Sequence, residues 1–167
     1  MKHQSDILAL KYRPTDFKDL IGQEYLVETI QKSIELNKIP NAYIFTGIRG
    51  VGKTTTARIV AKMLNCTAFD QNNKPDLSNC DQAKAISEDR HPDVIEIDAA
   101  SNTSVENARE IIENVKYNPV LGKYKVYIID EVHMLSKSAF NALLKTLEEP
   151  PPHSKFIFAT TEISKVP

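Results

Sequence analysis

A parallel β-sheet with helices packed on both faces is the fold this sequence predicts, and three observations predict it. Four short, largely apolar runs have the length of strands: Ala42-Tyr43-Ile44-Phe45, Val94-Ile95-Glu96-Ile97, Val126-Tyr127-Ile128-Ile129 and Phe156-Ile157-Phe158-Ala159. Between them lie stretches with apolar residues at helical spacing, so strand and helix alternate along the chain. The third run is apolar at every position, as a central strand covered on both faces requires.

The 167 residues make one domain, within the usual range of roughly 100–200 residues. A chain this long buries about 70% of its unfolded surface, so no disulfide or metal is needed to hold it together. With 41% hydrophobic and 26% charged residues, the composition is that of a soluble globular protein. Net charge is −1, so any contact with nucleic acid must come from a local patch. No stretch approaches the ~18 apolar residues of a membrane span, and Met1 to Tyr12 is not a signal peptide. Cys66 and Cys80 read as reduced thiols of a cytoplasmic protein.

Taken in order, Lys11 to Phe17 reads as extended chain, because Arg13 precedes Pro14 and is pushed out of the α region. Leu26, Val27, Ile30 and Ile34 share one face of a helix running to about Leu36. The first strand ends at Gly47, a glycine turn, and a second helix runs from Lys53 to about Leu64. Cys66 to Asp81 is rich in Asn, Asp, Lys, Pro and Ser and reads as a loop or small excursion. After the second strand, Thr103 with Glu106 three residues on is a capping-box signature. It opens a helix carrying Ala108, Ile111, Ile112 and Val115 on one face. Ser136 or Ser138 starts the next helix, which Pro150-Pro151-Pro152 stops. No helix or strand follows the fourth strand before Pro167, so the sequence reads as a piece of a longer chain.

Chemistry enters with Gly47-Ile48-Arg49-Gly50-Val51-Gly52-Lys53-Thr54, a full match to G-x-x-x-x-G-K-[ST] between a predicted strand and a predicted helix. Its glycines let backbone N–H groups converge on phosphate oxygens, Lys53 reaches the β- and γ-phosphates, and Thr54 offers a hydroxyl to Mg²⁺. The helix that begins there adds its positive end to the anion site. Asp130-Glu131 closes the third strand, at the edge of a parallel sheet that faces the ligand. There Asp130 is placed to support Mg²⁺ and Glu131 to activate a water. Thr160 and Thr161 close the fourth strand, where a hydroxyl can report on the γ-phosphate.

Several stretches together resemble the gamma/tau subunit family of bacterial DNA polymerase III, the ATPases of sliding-clamp loaders within the AAA+ class. They are Tyr12-Arg13-Pro14 with Ile21-Gly22-Gln23-Glu24, the phosphate loop, Glu96 to Ser101, Ile129 to Ser136, and Phe140 to Pro151. The resemblance covers essentially the whole chain, residues 1–167, and implies a P-loop NTPase with a RecA-like AAA+ core. It implies ATP and Mg²⁺ as cofactors, and ATP-driven opening of a ring-shaped clamp and its placement on primer–template DNA. Delta- and delta-prime-type subunits and the clamp are the implied partners, with no membrane, as part of the polymerase holoenzyme. Lys53, Thr54 and Thr55 follow the loop residues into the phosphate site, Asp130 supports the metal, Glu131 is the base, and Thr161 rather than Thr160 is the phosphate sensor. Tyr12, Arg13, Pro14, Leu20 and Ile21 would form the adenine pocket, unless Tyr12 and Ile21 merely pack under the sheet.

Three departures from the family stand out. Residues 66–92 correspond to a zinc module with four cysteines, but only Cys66 and Cys80 remain, and the other two positions fall on Leu77 and Ala83. A structural zinc takes four N or S ligands, so no zinc is expected, and the excursion is held by packing or is mobile. Arg109 and Lys145 match DNA-facing basic positions, or are simply solvated, while Asn102 and Ser104 stand where further basic residues are expected. The arginine-finger motif, the last strand, the lid and the collar are missing up to Pro167. An arginine finger is worth ~10³–10⁵ in rate, so the isolated chain should hydrolyse ATP very poorly, and the first strand should have an unpaired edge. Two other readings remain: a non-hydrolysing nucleotide-dependent scaffold, and another AAA+ motor such as a branch-migration helicase.

Overall fold

The computed structural model describes residues 24–46, 53–102 and 104–166, with the side chains of residues 24–27, 53 and 54 outside that description. Among the described residues nine α-helices and β-strands follow one another: α1 (Glu24–Glu35), β1 (Ala42–Thr46), α2 (Lys53–Asn65), α3 (Asp81–Ser87), β2 (Val94–Asp98), α4 (Val105–Val115), β3 (Lys125–Asp130), α5 (Lys137–Glu148) and β4 (Ser154–Thr160). All strands pair in parallel, in the order β1-β4-β3-β2.

The alternation of side chains along the strands builds two cores, one on each face. Val126 and Ile128 of β3 and Ile157 of β4 join Ile30 of α1 and Ala57, Val60 and Leu64 of α2 on one side. Tyr127 and Ile129 of β3 and Phe156 and Phe158 of β4 join Ala108 and Val115 of α4 and Phe140 and Leu143 of α5 on the other. Tyr127 and Phe156 stack with ring centroids 5.4 Å apart. β3 and β4 are therefore buried nearly throughout, while β1 and β2 are the edges among the described residues. β1 leaves Ile44 half exposed and has a strand neighbour on one side only among the described residues.

Local chemistry differs from the sequence reading in two places. The cap of α4 is Ser104, whose hydroxyl accepts the Asn107 amide at 3.3 Å, one residue beyond the predicted Thr103, which lies outside the described residues. Ser104 is in extended backbone and Asn107 sits three residues on, so the geometry needed for capping is met there. The excursion of residues 66–92 contains a Leu77–Asn79 turn and, past the Cys66-to-Asp81 stretch read as a loop or small excursion, the helix α3, which packs against α2. α3 spans only 7 residues, too few to announce themselves by periodicity. For α5, the cap is Ser136 rather than Ser138, accepting the Ala139 amide at 3.1 Å.

The turn before β3 is fixed from the opposite end of the sheet. Asp93, fully buried, accepts backbone N–H bonds from Val120 (2.6 Å), Leu121 (2.7 Å) and Gly122 (2.6 Å). Those amides outweigh burial and hold the carboxyl below its usual range. The buried Asn65 side chain accepts the Tyr124 amide at 2.7 Å. A Cβ on Gly122 would lie 2.7 Å from Asn65 Oδ1, so close packing requires glycine there.

Candidate nucleotide and hydrolysis site

The carboxyl ends of the four strands form one edge. Register sets Thr46 of β1 opposite Thr160 of β4, and Asp98 of β2 opposite Asp130 of β3. β1 ends at Thr46 and α2 begins at Lys53, so the glycine-rich segment spans the step from strand end to helix start. Gly47, Ile48, Arg49, Gly50, Val51 and Gly52 lie outside the described residues, as do Tyr12, Arg13, Pro14, Leu20 and Ile21. Lys53 and Thr54 form the first turn of α2, and Thr55 is buried in that turn.

Asp130 accepts the Glu131 amide on Oδ1 at 3.0 Å. Glu131 follows in a left-handed conformation (φ 51°, ψ 46°), which costs a non-glycine residue roughly 1–2 kcal/mol. Strain of this kind gathers at functional sites, where the surroundings fix the conformation. The turn carries the Glu131 carboxylate to Thr161, whose hydroxyl donates to Oε2 at 3.1 Å. Thr160 is buried and turned elsewhere: its Oγ1 lies 2.8 Å from His133 Nδ1 and accepts the Glu162 amide at 3.0 Å. His133 Nε2 in turn lies 3.4 Å from both Glu131 Oε2 and Glu162 Oε2. His133 sat inside a motif that carried the family resemblance, but its spacing gave no hint of a role.

Beside this edge opens a cleft of about 490 Å³, lined by Arg58, Asp89, Glu96, Asp98 and Asp130 among others. Arg58 donates to Glu96 at 2.8 Å and keeps its guanidinium charge matched. One carboxylate, one hydroxyl and phosphate oxygens are donors suited to Mg²⁺, which keeps part of its water shell. Asp130 ends β3 and Thr54 lies in the first turn of α2, and these are the residues that could hold the ion.

The remaining candidates are not gathered here. Arg109 on α4 and Lys145 on α5 are exposed on two helices that pack together. Asn102 donates to the Asp98 carbonyl at 3.0 Å, and Ser104 caps α4, so both polar side chains serve local structure. Cys66, Leu77, Cys80 and Ala83 share one buried apolar cluster. The Cys66 thiol donates to the Ala68 carbonyl at 3.1 Å. Burial and the adjoining Cys80 push it up to about 12. Among the described residues no three His, Cys, Asp or Glu side chains converge to hold a metal.

Residues 22–167 match the family model described as DNA polymerase III, delta subunit. The chain is 51% identical over 161 residues to the DNA polymerase III subunit tau/gamma of Haemophilus influenzae, covering 96% of this chain and 23% of that protein. It is 50% identical to the tau subunit of Escherichia coli, again over 96% of this chain and 25% of that one. The chain thus spans about a quarter of the length of these curated relatives. Among solved structures, a gamma subunit-related protein of Thermotoga maritima superposes with TM-score 0.54 at 22% identity, covering 84% of this chain and 40% of that one. A variant of Thermotoga maritima RuvB superposes with TM-score 0.62 at 18% identity, covering 93% and 44%. These likenesses show a shared fold. With its family match over residues 22–167 and half its residues shared with tau/gamma subunits, the chain belongs to the DNA polymerase III gamma/tau family.

Proposed function

We propose that this chain is the ATP-binding core of a motor subunit that hydrolyses ATP to load a sliding clamp on primer–template DNA during replication. It works in the cytoplasm beside delta- and delta-prime-type subunits, within the DNA polymerase III assembly. The observation that carries the reading is the Glu131 carboxylate, held by Thr161 one residue beyond Asp130 at the ligand-facing edge of the sheet.

Lys53 and the amides at the start of α2 bind phosphate, while Thr54 and Asp130 hold Mg²⁺. When bound, the metal neutralises charge that develops on the phosphates. Glu131 orients a water and takes its proton, and Thr161 links the carboxylate to the position of the γ-phosphate. Arg109 and Lys145 contact the DNA backbone. The excursion of residues 66–92 is held without zinc, by the apolar packing of Leu77 and Ala83 against the two cysteines. A scaffold that never turns over ATP has no physical need for Glu131 in strained backbone with its carboxylate gripped.

The test is ATP turnover by the full-length protein assembled with its partner subunits, clamp and primer–template DNA. Stimulated hydrolysis coupled to clamp loading supports the reading. Binding without turnover under those conditions would replace it with the scaffold.

A further inference from the structure

The His133 side chain is only 6% exposed, enclosed between the ends of β3 and β4. Thr160 Oγ1 already accepts the Glu162 amide at 3.0 Å, and His133 Nδ1 is the other group within hydrogen-bond distance among the described residues. Nδ1 and Thr160 Oγ1 share one hydrogen bond, which fixes the orientation of the ring. The other ring nitrogen, Nε2, faces Glu131 Oε2 and Glu162 Oε2 at 3.4 Å each. Glu131 Oε2 also receives the Thr161 hydroxyl at 3.1 Å. One donated hydrogen bond and one imidazole nitrogen at ion-pair distance thus meet on one oxygen of the carboxylate. Its partner oxygen, Oε1, receives no hydrogen bond among the described residues.

We propose that His133 is a positioning residue for hydrolysis: with its ring held by Thr160 at Nδ1, it steadies Glu131 through Oε2 so that Oε1 takes the proton of the attacking water. The proposal rests on the ATPase reading above and adds a residue to it. His133 acts through Glu131. It acts by holding a carboxylate whose backbone is already committed to a left-handed turn. Glu162 lies on the outer side of the same ring and pairs with Lys165 at 3.0 Å, so the imidazole is bracketed by both carboxylates.

The experiment uses the full-length assembled protein and compares His133→Gln, His133→Asn and His133→Ala with Glu131→Gln. ATP binding is measured with a fluorescent nucleotide, steady-state hydrolysis gives kcat and KM, and a thermal melt monitors folding. Glutamine places an amide N–H near the position of Nε2, whereas asparagine reproduces only the Nδ1 side. The expected result is a fall in kcat of about 10- to 100-fold for Ala and Asn, at unchanged KM and nucleotide affinity. Gln should recover most of the rate. Wild-type kcat in His133→Ala, with Glu131→Gln inactive, overturns the role of His133 and leaves the ATPase reading standing. Equal losses of kcat and melting temperature in all three His133 variants also overturn it, since a structural role alone accounts for them. Normal turnover by Glu131→Gln overturns the assignment of the base and this inference with it.

Discussion

The Thr161 hydroxyl donates to Glu131 Oε2 at 3.1 Å, which ties the end of β4 to the residue just beyond β3. The residue proposed to sense phosphate is thereby in direct contact with the residue proposed to activate water. Glu131→Gln in the assembled protein should keep Mg-ATP binding and lose turnover by about 10²–10⁴-fold, the usual worth of a general base. Comparing nucleotide affinity with kcat checks it, and an unchanged kcat would sink the assigned base.

For the phosphate loop, the measurement is the thermal melt of this chain with and without Mg-ATP. Ligand at 100 times its dissociation constant stabilises by about 2.7 kcal/mol, or roughly 5–10 °C for a domain of this size. Lys53→Ala should abolish the shift, because it removes the charge at the start of α2 that meets the phosphates. A shift of equal size in the variant would move phosphate binding elsewhere.

Asp93 and Gly122 form one structural device, far from the ligand edge. Asp93→Asn leaves an amide where three N–H groups point at a carboxylate, and should cost about 3 kcal/mol. Gly122→Ala forces a methyl into the Asn65 side chain, which is itself engaged by the Tyr124 amide, and should cost about 1–3 kcal/mol. Urea unfolding measures both. Wild-type stability in either variant would mean that the turn has another way to close.

The same corner sets a direction for acid stability. Burial lowers the His91 pKa against the pull of Asp93, and the ring accepts the Asp93 amide at 3.1 Å while contacting Gln82. Above its unfolded value of about 6.5 the contribution is fully present. As pH falls below that value, the unfolded chain takes up a proton that the folded one resists, so stability declines. Asp93, also depressed, adds a second loss beneath about 3.9. His91→Asn should flatten the first decline and leave the second. Stability that rises between pH 7 and pH 5 would contradict this.

The excursion should melt as an apolar cluster. A strong chelator should leave the melting temperature unchanged, whereas Leu77→Ala should cost about 2–5 kcal/mol, because Leu77 is buried against Cys66, Cys80 and Ala83. Stoichiometric zinc in the purified protein, with a melt that falls on chelation, would reverse the assignment.

How much the sequence alone determined depends on whether the relevant interaction is local. Strand runs, helical spacing, the Gly47-to-Thr54 motif and the stop at Pro150 are properties of neighbouring residues, and the described elements follow them within a residue or two. The two-faced burial of β3 was legible because all of Val126 to Ile129 is apolar. The strand order β1-β4-β3-β2 was not, since β1 pairs with a strand more than a hundred residues away. Ser104 replaced Thr103 as a cap because backbone geometry, rather than residue type, selects between adjacent hydroxyls. The Asp93 clamp reaches 27 to 29 residues along the chain, and His133 meets Thr160 across 27. No spacing rule connects such pairs. Only the folding of parallel strands into one sheet, which aligns their carboxyl ends, brought Glu131, His133, Thr160 and Thr161 within hydrogen-bond reach.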